Sequence, residues 1–210
     1  MSQHAVRQMN THKQAQPDYP INELIARRWS PYAFADRPVS ADDLRSLFEA
    51  ARWAASSYNE QPWTYIVATK DDRSGFETLL ACLVEANQAW AAAAPVLAIG
   101  CTSLQFVRNG KPNAAAMHDL GLASANLTVE ATARGLSVHQ MIGILPDKAR
   151  ELYSIPESVQ AVTALAIGYA VDPNLLPENL KERDLASRSR KRLQQFVFGG
   201  KWGTAAQVTQ

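Results

Sequence analysis

The chain has 210 residues, 47% hydrophobic and 20% charged, a composition that suits an ordinary folded core in one large domain or two small ones. A net charge of +1 excludes a whole-chain field that would draw nucleic acid or a membrane surface. The longest apolar run, AWAAAAPVLAIGC (Ala89–Cys101), is broken by Pro95 and falls short of the ~18 residues of a spanning helix, so the chain reads as soluble and cytoplasmic, with no membrane partner.

The first residues, Met1 to Tyr19, are polar and carry no apolar core of a secretory signal. Residues 1–20 are expected to form a flexible arm, free to lie over a partner. A short helix is expected over Ile21–Arg27. A second follows Ser40, a good N-cap with Asp43 three residues on, a carboxylate variant of the capping box. Leu44, Leu47, Phe48 and Ala51 give that helix one apolar face.

The stretch WAASSYNEQPWTYIVAT (Trp53–Thr69) then lays an unusual number of hydrogen-bonding groups between this helix and a strand over Trp63–Thr69. A plain connection needs only a few turn residues. Ser56, Ser57, Asn59 and Gln61 look more like a ligand cradle than a turn. Asp71–Trp90 reads as mostly helical, with Gly75 as its weak point. Val96–Cys101 is a continuous apolar strand, expected to be buried on both faces.

Ala114–Arg134 is a long central helix with a low-volume surface, ended by Gly135. Ser137–Met141 is a short strand, Pro146 opens another helix, and Ala161–Tyr169 is the last core strand. Beyond Val171 the chain turns polar, with Phe198 and Trp202 as late apolar anchors suited to packing on a second subunit. The elements predict an α+β fold, a central sheet flanked by helices, without an internal repeat.

Neither G-x-G-x-x-G nor the phosphate-cradling G-x-x-x-x-G-K-[ST] is present. His4, His12, His118 and His139 form no i,i+3 or i,i+4 pair, and no metal site is expected. His118 and Asp119 are adjacent, so on a helix they diverge by about a hundred degrees. There is no G-x-S-x-G elbow, and Ser56 and Ser57 have no assigned base. Cys82 and Cys101 lie in apolar segments and read as buried thiols of a reducing compartment.

Two basic clusters remain. RRWS (Arg27–Ser30) closes the first helix, and KERDLASRSRKR (Lys181–Arg192) holds six basic residues and two acids. A solvated face, a nucleic-acid patch, or two clusters joined on one phosphate would each account for them. Arginine forks suit a phosphate terminus.

RRWSPYAFADRPVS followed by AARWAASSYNEQPWTYIVAT resembles the flavin-dependent nitroreductase family. That family opens on a motif of the type R-x-S-x-R-x-F, followed by a P-S-S-x-N-x-Q-P-W segment that enters a strand. NQAWAAAAPVLAIGC, HDLGLASANLTVEATARGL, HQMIGI, AIGYA and RSRKRLQQFVFGGKWG resemble later family segments in the same order. The resemblance spans 21–203. It implies one domain whose sheet is mostly antiparallel, with 171–203 as a C-terminal arm reaching a partner and 204–210 as a tail. It implies a homodimer with two interfacial FMN sites, no nucleic acid, and NAD(P)H as reductant.

By position, Arg28, Trp29 (through its backbone) and Ser30 match the first flavin contacts. Ser56, Ser57 and Asn59 match the ribityl-holding loop, usually from the neighbouring subunit. Asn87 matches an asparagine at the pyrimidine end. Met141, Ile142 and Gly143 match a backbone run near N5 and O4. Arg188 and Arg190 match the phosphate's basic partners. The implied reaction is a ping-pong exchange through the flavin to a nitroaromatic, quinone or similar small acceptor, with no protein acid or base assigned. Gln105–Pro112 falls where the family's acceptor pocket varies. A flavin carrier or sensor with little turnover is the alternative.

Two positions depart from the pattern. Tyr32 stands where the family has Arg or Lys, which removes a charge-assisted contact to the flavin or its ribityl chain of about 1.5–3 kcal/mol. Ala55 stands where the family has proline, a change of about 0.4–1 kcal/mol through the unfolded chain. With Tyr32 neutral, the lost cation must be compensated from elsewhere.

Overall fold

The run Val96–Cys101 sits where continuous apolarity requires it, in the middle of the sheet. The computed structural model describes residues 13–209, so the expected arm lies largely outside the described residues. Strand β1 is Trp63–Thr69, β2 Val96–Ser103, β3 Ser137–Met141 and β4 Val159–Gly168. All neighbouring pairs are antiparallel, in the order β1-β2-β4-β3. The sheet is thus wholly antiparallel. Strand β2 pairs with β1 from Trp63↔Thr102 to Thr69↔Val96, and on its other edge with β4 through a bulge at Gly100/Cys101.

Alternation along β2 divides the core into two layers. Leu97, Ile99 and Cys101 face one cluster with Phe34, Phe76, Leu79, Leu83, Trp90 and Met141. Val96 and Ala98 face the other, with Leu47, Leu127, Val138, Leu165 and Ile167. Burying a Leu or Ile side chain of this kind contributes about 1.5–3 kcal/mol.

The helices are α1 (Glu23–Arg27), α2 (Ala41–Arg52), α3 (Arg73–Leu80), α4 (Glu85–Ala91), α5 (Ala116–Ala133), α6 (Pro146–Tyr153) and α7 (Glu178–Leu185). Ser40 caps α2 by accepting from the Asp43 N–H, but the reciprocal half of the capping box is altered: the Ser40 hydroxyl and the Asp43 carboxylate bond each other at 2.7 Å. Gly135, at φ +73°, follows the C-cap of α5 in the left-handed conformation that glycine tolerates.

Asp71–Trp90 is not one helix. It breaks at 81–84 rather than at Gly75. Gly75 lies in the first turn of α3, where its N–H bonds the Asp72 cap. The break belongs to Cys82 and Leu83, which are fully buried and paired across to the β3–α6 connection: Leu145 N–H donates to Cys82 O at 2.7 Å, and Leu83 bridges Ile144. Both cysteines are free and buried, and burial pushes the Cys101 thiol up to about 11. Among the described residues, no helix is long and apolar enough to cross a membrane.

The segment after α1 is tied to the end of β4. Phe34 bridges Ala170, and Ala35 N–H donates to Tyr169 O at 2.8 Å. Gly168 makes this junction possible, because a Cβ there would lie 2.5 Å from Pro95 Cδ and 3.1 Å from the Phe34 ring. Gly168→Ala is expected to lower stability by about 1–3 kcal/mol through overpacking, read as a lower urea midpoint at unchanged slope.

Candidate functional site

Helix α1 ends at Arg27 because the chain turns extended there, and Arg28 N–H makes the closing bond to Leu24 O at 3.0 Å. The next three residues run beneath the segment that follows α7. Together they form a pocket of about 170 Å3 lined by Lys13, Arg28, Trp29, Ser30, Arg188 and Arg190. The two basic clusters of the sequence therefore do meet.

Protein groups hold these cations in place. Arg188 Nη1 donates to Lys13 O at 2.9 Å and to Ala26 O at 2.8 Å, so one arm of its fork clamps the backbone while its other donors stay available. Arg28 Nη1 reaches Ser30 Oγ at 3.4 Å, and Arg190 bonds the carbonyl of Ser189. Among the described residues, no carboxylate stands within ion-pair distance of Arg28, Arg188 or Arg190. Burial, and then the fields of Arg188 and Arg190, lower the Arg28 pKa. Burial and Arg190 do the same to Arg188. Such convergence opposes the folded state unless an anion shares the pocket, and guanidinium forks fit the oxygens of a phosphate.

Tyr32, the neutral residue at the position of the expected cation, is held by ring packing and by its backbone. Its ring lies edge-on to Trp90 and His139, with centroids 5.0 and 4.7 Å away. Its N–H is shared between the carboxylate oxygens of buried Asp184, at 3.2 and 3.1 Å. His139 Nδ1 bonds Pro31 O at 2.9 Å, and burial lowers its pKa.

The aromatic cluster leads to a second group of expected residues. Trp90 Nε1 donates to Asn87 Oδ1 at 3.3 Å, and Asn87 Nδ2 donates to Gly143 O at 3.0 Å. A Cβ on Gly143 would sit 2.4 Å from Asn87 Nδ2, so glycine is required for this contact. Met141 is buried at the end of β3, whereas Ile142 is 85% exposed. Asn87 therefore positions the 141–143 turn, keeping one amide N–H for another acceptor.

Ser56, Ser57 and Asn59 do not line the cation pocket. They form a tight turn over the start of α5. Ser57 N–H donates to Asp119 Oδ2 at 3.0 Å, and the other oxygen of that buried carboxylate meets His118 Nδ1 at 3.1 Å. The adjacent pair His118-Asp119 thus does make contact. Tyr58, Asn59 and Gln61 all have positive φ, between 51° and 56°, a concentration of backbone strain found at functional turns. Gln61 is spent locally, its N–H on Ser56 Oγ and its side chain on Asn59 O. Ala55 is exposed beside it.

Three participants were not evident in the sequence. Lys13 lay in a stretch read as an arm. Asp119 looked like one polar residue on a helix. Asp184 was one acid in a basic run, the single hint being a carboxylate where a solvated cationic face needs none.

Residues 25–169 match the family model described as the nitroreductase family. A solved oxidoreductase containing FMN is 33% identical, superposes with a TM-score of 0.82, and is matched over 89% of this chain and 95% of its own. An uncharacterised 15.4 kDa protein of Mycolicibacterium smegmatis is 30% identical over 66% of this chain and 97% of its own length. A protein of Archaeoglobus fulgidus with the provisional name NADH dehydrogenase/NAD(P)H nitroreductase is 26% identical over 71% of this chain and 85% of its own length.

Replacing Asp119 by Ala removes the charged acceptor of the Ser57 N–H. The expected cost is about 1.5–3 kcal/mol in urea unfolding, with faster hydrogen exchange at the Ser57 amide. Unchanged exchange would show that the turn does not depend on Asp119.

Proposed function

The chain belongs to the nitroreductase family, and from that premise we propose that it is an FMN-dependent oxidoreductase that moves hydride from NAD(P)H to a small acceptor such as a nitroaromatic or quinone. The observation that carries this reading is the meeting of Arg28, Arg188, Arg190 and Lys13 around one small pocket where, among the described residues, no carboxylate pairs with the three guanidinium groups. That donor set fits a phosphoryl group. The similarity to the FMN-containing oxidoreductase and to the Archaeoglobus relative named for NAD(P)H supports the cofactor and the reductant.

FMN, when bound, would supply the redox chemistry, a hydride exchange in which NAD(P)H and the acceptor bind in turn. The protein's part is binding and orientation. Arg28, Arg190 and the uncommitted donors of Arg188 hold the phosphoryl end, with the Ser30 hydroxyl beside them. Trp29, which is buried and lines the same pocket, is the residue expected to contribute through its backbone. Asn87 and the 141–143 turn frame the ring end, with Asn87 fixed by Trp90 and Gly143. Tyr32 serves as packing rather than as a cation.

The enzyme acts as a homodimer. Ser56, Ser57 and Asn59 lie outside the cation pocket of their own chain and serve the partner's flavin. Ala55 lies next to that contact. Helix α5 supports the interface: Met117, Gly121 and Ala125 are exposed along it, and nothing lies within 4 Å of a Cβ built on Gly121. The single domain is 21–203, and its arm, 171–203, reaches the partner with Trp202, which is 94% exposed. Its buried free thiols fit the cytoplasm.

Freshly purified protein is expected to be yellow, to bleach anaerobically with NADH or NADPH, and to recover on adding a nitroaromatic or quinone. Flavin-loaded protein that neither nicotinamide bleaches would instead be a carrier. Colourless protein with salt-sensitive polynucleotide binding would turn the basic tail into the functional element. Replacing both Arg28 and Arg190 by Ala should release the flavin during purification, and full occupancy in that variant would refute the phosphate assignment.

Gly121→Trp should give a monomer by light scattering with reduced flavin content. A flavin-loaded dimer in that variant would remove α5 from the interface.

A further inference from the structure

Lys13 is 5% exposed, and a lysine so buried needs partners. It comes from a segment N-terminal to the family match at 25–169. This strap is fastened at several points. Ala15 N–H donates to Ala26 O at 2.8 Å, and Arg188 grips the Lys13 carbonyl. The Lys13 ammonium donates to Arg183 O at 3.2 Å and to Ala186 O at 2.6 Å, just where α7 ends. It stands 5.4 Å over the Trp29 ring. An ammonium has three donors, and two are accounted for among the described residues.

The strap thus places a lysine among the residues that line a pocket with three guanidinium groups, its ammonium held at the end of α7. Burial lowers the Lys13 pKa, the Asp184 carboxylate raises it, and Arg188 lowers it further. For packing alone, an apolar side chain of the same length would serve better. The same Asp184 that favours the Lys13 charge also accepts the backbone N–H of Tyr32, the position where the family's cation is missing.

We propose that Lys13 is a ligand of the cofactor's phosphoryl group, brought in by the N-terminal strap. The proposal rests on the FMN reading for the identity of the ligand. Its chemistry, a dianionic phosphoryl group bound between Lys13 and the arginines, does not.

The test titrates FMN and riboflavin into flavin-stripped, full-length protein, wild type and Lys13→Met, followed by flavin fluorescence. The expected result is FMN affinity about 10–100-fold weaker in the variant, with riboflavin binding unchanged. Equal FMN affinity overturns the proposal. An equal loss for both flavins also overturns it, since the strap would then act by packing alone.

Should Lys13→Met fail to fold, the wild type decides. Amine labelling of Lys13, mapped by mass spectrometry, is expected to be blocked by FMN and by inorganic phosphate but not by riboflavin. Labelling indifferent to both anions overturns the proposal. Protein that binds neither flavin, yet shields Lys13 with inorganic phosphate, retains the phosphoryl ligand and overturns the FMN reading instead.

Discussion

Like charges brought together against their own repulsion are the constraint around which this structure is arranged. Lys13, Arg28, Arg188 and Arg190 share one pocket although they come from an N-terminal strap, the end of α1 and the chain beyond α7. Carbonyl groups hold them there: Ala26 and Lys13 for Arg188, and Arg183 and Ala186 for Lys13. Each clamp fixes a cation by its hydrogen-bond geometry without neutralising it. The pocket stays electropositive while its walls are rigid, which is the condition for selecting an anion with several oxygens.

Rigidity continues away from the charges through aromatic and amide contacts. Tyr32, Trp90 and His139 stack between the pocket and Asn87, and Asn87 in turn fixes Gly143. These groups bond one another, so each has little freedom to adjust alone. Orientation of a flat ligand depends on such prior fixing, because interactions that must first order their own side chains contribute less to binding. Gly143 and Gly168 serve the same end by allowing side chains to approach the backbone closely.

The turn at Ser56–Gln61 is built on a different anchor. Buried Asp119 holds the Ser57 N–H, and three residues accept positive φ around it. A strained turn of this kind persists only where its surroundings over-determine it. The turn lies apart from the cation pocket of the same chain.

Much of this was written locally in the chain. Continuous apolarity placed β2 between two core layers, Ser40 and Pro146 marked helix starts, and Gly135 marked an end, because caps and periodicity act over a few residues. The ordered motifs from Arg28 to Arg190 identified the family and the residues to watch, and the two basic clusters could be paired as one option among three. The helix break at Cys82–Leu83 could not be read, since it depends on pairing with Ile144 and Leu145 far along the chain. Nor could Lys13 or Asp119. The surroundings of a lysine in a polar stretch and of an aspartate on a helix are set only when the fold buries them beside particular donors and charges. Sequence alone determined most of the elements, the family and the arginines that meet in the pocket. Tertiary structure decided which backbone groups hold those cations, and that a strap outside the family match completes the set, because long-range burial and hydrogen bonding are set by which segments fold against each other.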